Sequence, residues 1–158
     1  MTITLGMSRL YNKGVALYNQ GKYDDAIQAF DEAIEINPKY APAWHAKGTA
    51  LYNQGKYNEA IKASDKAIEI NPEDALAWYA KGNSLYNQGK YNDAIQAYNK
   101  CIEINPKHAE AWSNKGVALY NQGSYSDAIK SYEEAIRLDP DLARAWYNKG
   151  VVNYAQNK

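Results

Sequence analysis

The amino-acid sequence predicts an all-α solenoid, in which pairs of antiparallel helices repeat along the chain. Two sets of residues recur at a spacing of about 34 positions, and this period is typical of a helix-turn-helix repeat. The recurring residues are Trp44, Trp78, Trp112 and Trp146, together with Gly14, Gly48, Gly82, Gly116 and Gly150. Because such repeats contact only their neighbours, we expect stability to come from interfaces between successive units and not from one central core.

The first half of residues 75–108 shows why each unit is expected to begin with a helix. Small and apolar residues follow the three-and-four spacing of one helix face. This face consists of Trp78, Gly82, Leu85 and Tyr86. Gly89 follows, and a glycine with positive φ is a common end for a helix, so the first helix is predicted to stop there.

The second half of the unit predicts a second amphipathic helix. Asn92 is its predicted N-cap, and Asp93 falls in the first turn, where the helix dipole favours an anion. The apolar face consists of Ala94, Ile95, Ala97, Tyr98, Cys101, Ile102 and Ile104. Pro106 disfavours helix in the preceding residue, so Asn105 is the predicted boundary. Gly82 is expected to let the two helices approach closely.

This order of residues resembles that of the tetratricopeptide repeat family. A tryptophan, a glycine, Gly-x-Tyr, Ala-Ile, an aromatic residue, an alanine and a proline follow one another in four predicted units, at residues 7–40, 41–74, 75–108 and 109–142. Residues 1–6 are then predicted as an N-terminal tail and residues 143–158 as a C-terminal capping helix. There are two local departures. Leu10 replaces the first tryptophan, and Ser64 replaces the aromatic residue seen as Phe30, Tyr98 and Tyr132.

The resemblance implies a right-handed superhelix whose first helices line a concave groove and whose second helices form the convex back. Proteins of this family usually hold a peptide or a partner's helix in that groove, so we expect a protein or peptide partner. The candidate peptide contacts are mainly groove positions that differ from unit to unit, because packing would impose one residue at each position. They are Tyr11, Asn12, His45, Thr49, Tyr79, Asn83, Asn114, Arg144, Tyr147 and Asn148.

The implied groove is rich in tyrosine and asparagine and carries few charges. Tyrosine offers contact area with a polar tip, and asparagine offers donors and acceptors to an extended backbone. One tyrosine, however, recurs in every unit, which favours a packing role for it over a ligand role. These recurring residues are Tyr18, Tyr52, Tyr86, Tyr120 and Tyr154.

A subtype of the family clamps the C-terminal carboxylate of chaperones with lysine, arginine and asparagine side chains. Frames that start at the first or second unit place too few cations in the groove to bind an anion well. The frame that starts at the third unit keeps two asparagines and one cation but lacks two cations, which predicts at most a weak carboxylate site. That frame consists of Tyr79, Asn83, Asn114, Arg144 and Asn148.

Other classes of function find little support in the sequence. The formal net charge is zero, with 18 basic and 18 acidic residues, so no basic stripe predicts nucleic-acid or membrane binding. Recurring lysines are matched by recurring acidic residues. His45 and His108 lie far apart, with no cysteine pair beside them, so no metal site or cofactor is expected. Cys101 occupies an alanine slot and is expected to be a buried small residue. We expect a cytoplasmic, non-enzymatic protein.

Two further expectations concern stability and assembly. Ser64 puts a small hydroxyl where other units place a ring, so the second unit should be the weakest and Ser64→Tyr should stabilise it by about 1 to 3 kcal/mol. The last helix lacks its partner helix, so Trp146 and Val152 are expected to support self-association into a homo-oligomer. The alternative function is therefore a structural or engineered, consensus-like module that self-associates and has no cognate ligand.

Overall fold

The computed structural model describes residues 2–156, which form nine helices joined by short turns. Their bounds are α1 Thr2–Asn19, α2 Tyr23–Ile36, α3 Ala41–Asn53, α4 Tyr57–Ile70, α5 Ala75–Asn87, α6 Tyr91–Ile104, α7 Ala109–Asn121, α8 Tyr125–Leu138 and α9 Ala143–Gln156. Helices α1 to α8 form four consecutive pairs, and α9 packs on the last pair. The predicted all-α solenoid is confirmed.

The curvature of the array follows from which helices touch across unit boundaries. Each first helix contacts the first helix of the next unit, as α3 contacts α5 and α5 contacts α7. Within the described residues, the second helices α2, α4, α6 and α8 make no such contact with one another. The stack therefore bends so that the first helices lie on its inner side, and the surface that they share is called the groove below.

Two predictions about helix ends need correction. α1 begins at Thr2, so residues 2–6 continue the first helix and do not form the predicted tail. Met7 shows why, because it is buried in an apolar cluster with Ala33 and Ala43 and ties this segment to the neighbouring helices.

The predicted N-cap of the second helix is also wrong. α6 begins one residue earlier, at Tyr91, with Lys90 at the cap position and no side-chain cap. The side chain of Asn92 instead accepts a hydrogen bond from Gln122 of the next unit. The predicted ends are confirmed, since Gly89 has a φ of 74° and Asn105 is the C-cap of α6.

The core of three of the four units centres on a ring that lies over a glycine. In units 1, 3 and 4 this ring belongs to Phe30, Tyr98 or Tyr132, each 1% exposed. A Cβ atom added to Gly82 would lie 2.6 Å from Cε1 of Tyr98, so only glycine leaves room for the ring. The close approach predicted at Gly82 is thus made by a side chain of the second helix.

The second unit keeps its glycine but has no such ring. Ser64 is fully buried, and its Oγ has no hydrogen-bond partner. It is the nearest neighbour, at 3.2 Å, of a Cβ atom added to Gly48. The effect of Ser64→Tyr on stability stays a prediction.

Hydrogen bonds repeat from one unit to the next along the groove. The amide nitrogen of Asn53, Asn87 or Asn121 donates to the hydroxyl of the tyrosine 35 residues earlier, which is Tyr18, Tyr52 or Tyr86. The donor-acceptor distances are 2.8, 3.1 and 3.0 Å. The recurring tyrosines therefore join units, in agreement with the packing role that their recurrence favours.

Recurring charges pair in the same periodic way. Lys47 lies 2.6 Å from Asp31, Lys81 lies 2.7 Å from Asp65, and Lys149 lies 2.8 Å from Glu133. Each pair links a first helix to the second helix of the unit before it. These three recurring lysines are thus compensated, as the sequence predicts.

Candidate peptide-binding groove

Five of the predicted contacts lie together around one cavity in the groove, which we call the central pocket. They are Tyr79, Asn83, Asn114, Arg144 and Asn148. The pocket has a volume of about 400 Å³ and opens between α5, α7 and α9. Its remaining walls are formed by Tyr52, Tyr86, Asn87, Tyr98 and Val117.

A chain of hydrogen bonds orders the polar side chains of the central pocket. Arg144 donates to Oδ1 of Asn114 at 2.8 Å, across the boundary between the last two first helices. Asn114 in turn donates from Nδ2 to Oδ1 of Asn83 at 2.8 Å and to the hydroxyl of Tyr79 at 2.9 Å. Tyr98 donates its hydroxyl proton to the same Oδ1 of Asn83 at 2.8 Å. Each amide orientation is therefore fixed by its neighbours.

This network gives the central pocket an excess of donors. The side-chain oxygens of Asn83 and Asn114 accept hydrogen bonds within the network. The Nδ2 group of Asn83 and the remaining N–H groups of Arg144 have no partner among the described residues and can donate to a ligand. The pocket is thus suited to an acceptor such as a main-chain carbonyl or a carboxylate.

Burial fixes the protonation state of the tyrosine at the base of the pocket. Desolvation is the main cause that raises the pKa of Tyr98, and the nearby tyrosines raise it further. The Tyr98 hydroxyl therefore keeps its proton at physiological pH and stays a donor to Asn83. Arg144 is the cation that lines this pocket.

A second cavity lies one unit earlier in the groove, and we call it the His45 pocket. Its volume is about 330 Å³. It is lined by Tyr18, His45, Thr49, Tyr52, Asn53, Leu76, Tyr79, Ala80 and Asn83. Two predicted contacts, His45 and Thr49, belong to it, and Leu76 is 53% exposed at its edge.

The polar groups of the His45 pocket are less well satisfied than those of the central pocket. Thr49 donates its hydroxyl to the main-chain oxygen of His45 at 3.1 Å. Nδ1 of His45 is buried and has no partner. Desolvation lowers the pKa of His45, and the charge of Asp74 opposes this shift. The imidazole is therefore neutral at pH 7.

The structure places the other predicted contacts outside both pockets. Tyr11 packs against Phe30 and Tyr40, with ring centroids 5.9 and 5.4 Å away, so it belongs largely to the core. Asn12 is exposed on α1. Tyr147 is 72% exposed on α9.

The two residues predicted to support self-association differ in their burial. Trp146 is 53% exposed. Val152 is 1% exposed and belongs to the apolar cluster around Leu119 and Tyr132. The prediction for Val152 is therefore wrong. Its side chain packs against α8, and the same position is Ser84 in unit 3 and Ala118 in unit 4. Val152 therefore cannot form part of an exposed surface.

Sequence reasoning missed Tyr98 as a residue of the groove. The residue was assigned to the apolar face of its helix because Phe30 occupies the same position in unit 1. A signal was present, however, since a buried hydroxyl needs a partner and unit 3 alone combines tyrosine at this position with asparagine at position 83.

No other chemistry is apparent in the described part of the chain. Residues 2–156 hold no group of three histidine, cysteine or carboxylate side chains that could bind a metal. None of their helices is long and apolar enough to cross a membrane. Cys101 is fully buried, and desolvation raises its pKa to about 11, so its thiol is protonated and unreactive.

Solved structures share this architecture at low sequence identity. One is MamA from Desulfovibrio magneticus RS-1, with a TM-score of 0.88, 22% identity and coverage of 96% of this chain and 86% of that chain. Another is YrrB, described as having an unusual peptide-binding site, with a TM-score of 0.79, 23% identity and coverage of 100% and 86%. The first repeat domain of Spaghetti (RPAP3), bound to the HSP90 peptide SRMEEVD, has a TM-score of 0.73, 24% identity and coverage of 75% and 94%.

Sequence models of a protein family match most of the chain. No curated protein sequence matches it significantly. Models of the tetratricopeptide repeat match residues 9–40, 45–109, 79–143 and 113–158. Together with the helix pairs, their stacking and the groove, these matches show that the chain belongs to the tetratricopeptide repeat family.

Proposed function

We propose that this protein is an interaction scaffold that holds an extended peptide segment of a partner protein in its groove. The convergence of five non-repeating residues on the central pocket carries this proposal. Residues that serve only packing are expected to repeat with the fold, as the glycines and the groove tyrosines do. Residues that differ from unit to unit and meet at one cavity are better explained by a ligand.

The chemistry of the central pocket favours a peptide with free acceptors. The free donors of Asn83 and Arg144 suit main-chain carbonyls of an extended segment or a C-terminal carboxylate. One cation is too few for a strong anion clamp. YrrB and the RPAP3 domain, which share the fold, are described with a peptide-binding site and a bound peptide, respectively. A peptide ligand therefore has precedent on this architecture.

The same proposal includes the absence of catalysis, of nucleic-acid binding and of membrane binding. Zero formal net charge supports it, because nucleic acids and anionic membranes select basic surfaces. We also propose a cytoplasmic location. None of the described pockets brings a nucleophile next to a base in a hydrogen bond.

Peptides selected from a random display library against the full chain would test the groove proposal. The selected peptide is titrated into isotopically labelled protein, and chemical shifts should move on α5, α7 and α9. Shifts confined to the second helices would contradict the proposal. Raising the salt concentration from 0.05 to 0.5 M should weaken binding only about two- to fivefold, since one cation is involved.

A matched pair of arginine variants sharpens this test. Arg144→Gln removes the cation of the central pocket and should weaken peptide binding about tenfold, the typical effect of losing a charged hydrogen bond. Arg137→Gln is the control, because Arg137 lies on α8 and pairs with Glu134 of the same helix. Equal affinities of the two variants would place the ligand elsewhere.

A second candidate function, self-association, is favoured by one observation. α9 exposes Trp146, and no following helix covers it within the described residues. Exposed apolar faces of this kind mark interaction sites. This candidate does not exclude peptide binding, because Trp146 lines neither groove pocket.

A further inference from the structure

The outer side of the array, opposite the groove, has clefts between successive second helices. One cleft opens between α2 and α4 with a volume of about 720 Å³, and the next opens between α4 and α6 with about 630 Å³. The first helix between them contributes a tryptophan and a lysine to each cleft. These residues are Trp44 with Lys47 and Trp78 with Lys81.

The recurring lysines of this surface share one arrangement, in which a carboxylate lies 16 residues earlier on the preceding second helix. Lys115 is the exception, because position 99 holds an asparagine. Within the part of the chain that the structure describes, the Lys115 amine makes no ion pair or hydrogen bond. The paired lysines are Lys47 with Asp31 at 2.6 Å, Lys81 with Asp65 at 2.7 Å and Lys149 with Glu133 at 2.8 Å.

The environment of Lys115 is that of a cation without its counter-ion. Its amine lies 5.0 Å from the centroid of the Trp112 ring, and the side chain is half-buried. Burial lowers the pKa of Lys115, and the charge of Asp127 on α8 opposes this shift. The Asp127 carboxylate pairs with Lys130 of its own helix at 3.1 Å and not with Lys115. The charge of Lys115 is therefore only partly compensated.

The preceding unit shows which group is missing. Asp93 occupies the position of Asp127 there and lines the same cleft as Lys81, yet Lys81 pairs with Asp65. An acidic residue in the first turn of the second helix thus does not replace the carboxylate at the position of Asn99. Because Asn99 is exposed, a group from outside the chain can approach this position.

We propose that the cleft between α6 and α8 binds the side chain of an aspartate or glutamate of a partner protein, whose carboxylate pairs with Lys115. This carboxylate takes the place that Asp31, Asp65 and Glu133 have beside the other lysines. The amide of Asn99 donates to its second oxygen, which the acidic residues at this position cannot do. The inference adds an interaction surface on the side opposite the groove and does not depend on the proposed function.

Charge distinguishes an acidic side chain from its neutral amide at this site. Asparagine and glutamine also offer an oxygen to the ammonium group, but they leave its charge uncompensated. A hydrogen bond between two charged groups is stronger than one to a neutral acceptor, and partial burial reduces its screening by solvent. We expect the acidic residue of a bound peptide to be preferred over its amide about tenfold.

Peptides from a random display library test the inference after the library has been depleted on an Asn99→Asp variant. This variant supplies the missing carboxylate from the chain itself and keeps the groove unchanged, so depletion removes peptides that bind the groove. Peptides then enriched on wild type should share an aspartate or glutamate and should shift the resonances of Trp112 and Lys115. No enrichment, an enriched pool without a shared acidic residue, or shifts confined to Trp78 and Lys81 of the neighbouring cleft would overturn the inference.

A pair of lysine variants locates the contact. Lys115→Gln removes the cation and should weaken binding of the enriched peptides about tenfold. Lys81→Gln is the matched control, because Lys81 has the same position one unit earlier and already pairs with Asp65. Exchanging the acidic residue of the peptide for its amide should weaken binding to wild type but hardly weaken it further for Lys115→Gln. Additive losses would show that these two groups do not form the pair.

A measurement without peptide tests whether position 99 faces Lys115. The added carboxylate of Asn99→Asp should raise the pKa of Lys115, followed through the resonance of its Cε atom. The variant is expected to fold, because the same pair occurs three times in the chain. An unchanged pKa would mean that a carboxylate at this position does not reach the amine, and the inference would be wrong whether or not peptides bind the groove.

Discussion

At the scale of single residues, the recurring glycine is explained by the side chain that faces it. A Cβ atom on Gly82 would lie 2.6 Å from the Tyr98 ring, whereas on Gly48 it would lie 3.2 Å from Ser64 Oγ. On Gly150 nothing lies within 4 Å. The same residue type is therefore required in unit 3, favoured in unit 2 by close contacts that include the main-chain oxygen of Ala60 at 3.3 Å, and not required in α9.

Alanine substitutions at these three glycines should differ in sign. Gly82→Ala forces the added methyl into a buried ring and should lower the free energy of unfolding by about 1 to 3 kcal/mol. Gly150→Ala should raise it by up to about 1 kcal/mol, because alanine favours helix. Gly48→Ala should fall between them. Urea unfolding followed by circular dichroism would measure the three changes, and equal losses would show that the ring is not the cause.

The buried imidazole of His45 makes stability depend on pH. Burial lowers its pKa in the folded state below the ordinary value of 6.5, so the unfolded chain binds a proton first as the pH falls. Stability that is present above pH 6.5 should therefore be lost as the pH drops below it. His45→Tyr restores the residue found at positions 11 and 79 and cannot take up this proton.

The measurement is the midpoint of urea unfolding at pH 7 and pH 5 for wild type and His45→Tyr. Carboxylates titrate in both proteins, so only the difference between them reports on His45. Wild type should lose more stability than the variant. The opposite sign would mean that the attraction of Asp74 outweighs desolvation.

At the scale of helices, the repeat pattern predicted element type and order but not every start. Periodic apolar residues predict both helices of each unit because one face of each is buried. Helix starts are set by local hydrogen bonds, which sequence spacing does not reveal. Asn92 has the right residue type for a cap, but its oxygen bonds Gln122 of the following unit.

The start of α5 offers a test, because its cap residue is an aspartate. Asp74 Oδ1 accepts from the main-chain nitrogens of Leu76 at 3.0 Å and Ala77 at 3.2 Å. Asp74→Ala should lower the free energy of unfolding by about 1 kcal/mol. Asp25→Ala is the control, since Asp25 lies in the first turn of α2, is exposed and does not cap it. Thermal unfolding of both variants should show a clear loss only for Asp74→Ala.

At the scale of the whole molecule, the repeat array could be predicted because its residues recur from unit to unit. Part of the candidate site could be predicted because its residues do not recur. Tyr79, Asn83 and Arg144 were singled out because they differ between units, and they do lie together. Tyr11 also differs between units but packs in the core. Sequence divergence between units cannot by itself distinguish a groove position from a core position, because the distinction depends on contacts that only the folded structure reveals.

The exposed Trp146 on α9 should make the size of the protein depend on concentration. Trp146 is exposed on α9 on the face that a second helix covers in the other units. Trp146→Lys should shift sedimentation toward the monomer relative to wild type. Val152→Lys is unsuitable for this purpose, because Val152 is buried and its replacement would unfold α9.

The control for sedimentation is Lys130→Gln, since Lys130 is an exposed residue on α8. It should behave like wild type at every concentration. A strict monomer for wild type at millimolar concentration would rule out self-association through this end.

The asparagine-tyrosine bonds between units have a consequence for how such a protein evolves. Each asparagine bonds a tyrosine that is identical in every unit, as Asn121 bonds Tyr86 and Asn87 bonds Tyr52. If residues 75–108 were deleted in frame, Asn121 would meet Tyr52 in the same register. A duplicated unit would form the same asparagine-tyrosine bond at both of its boundaries. Gene segments of this length can therefore be gained or lost without breaking these asparagine-tyrosine bonds, while positions such as 45, 79 and 83 are free to diverge and change what the groove recognises.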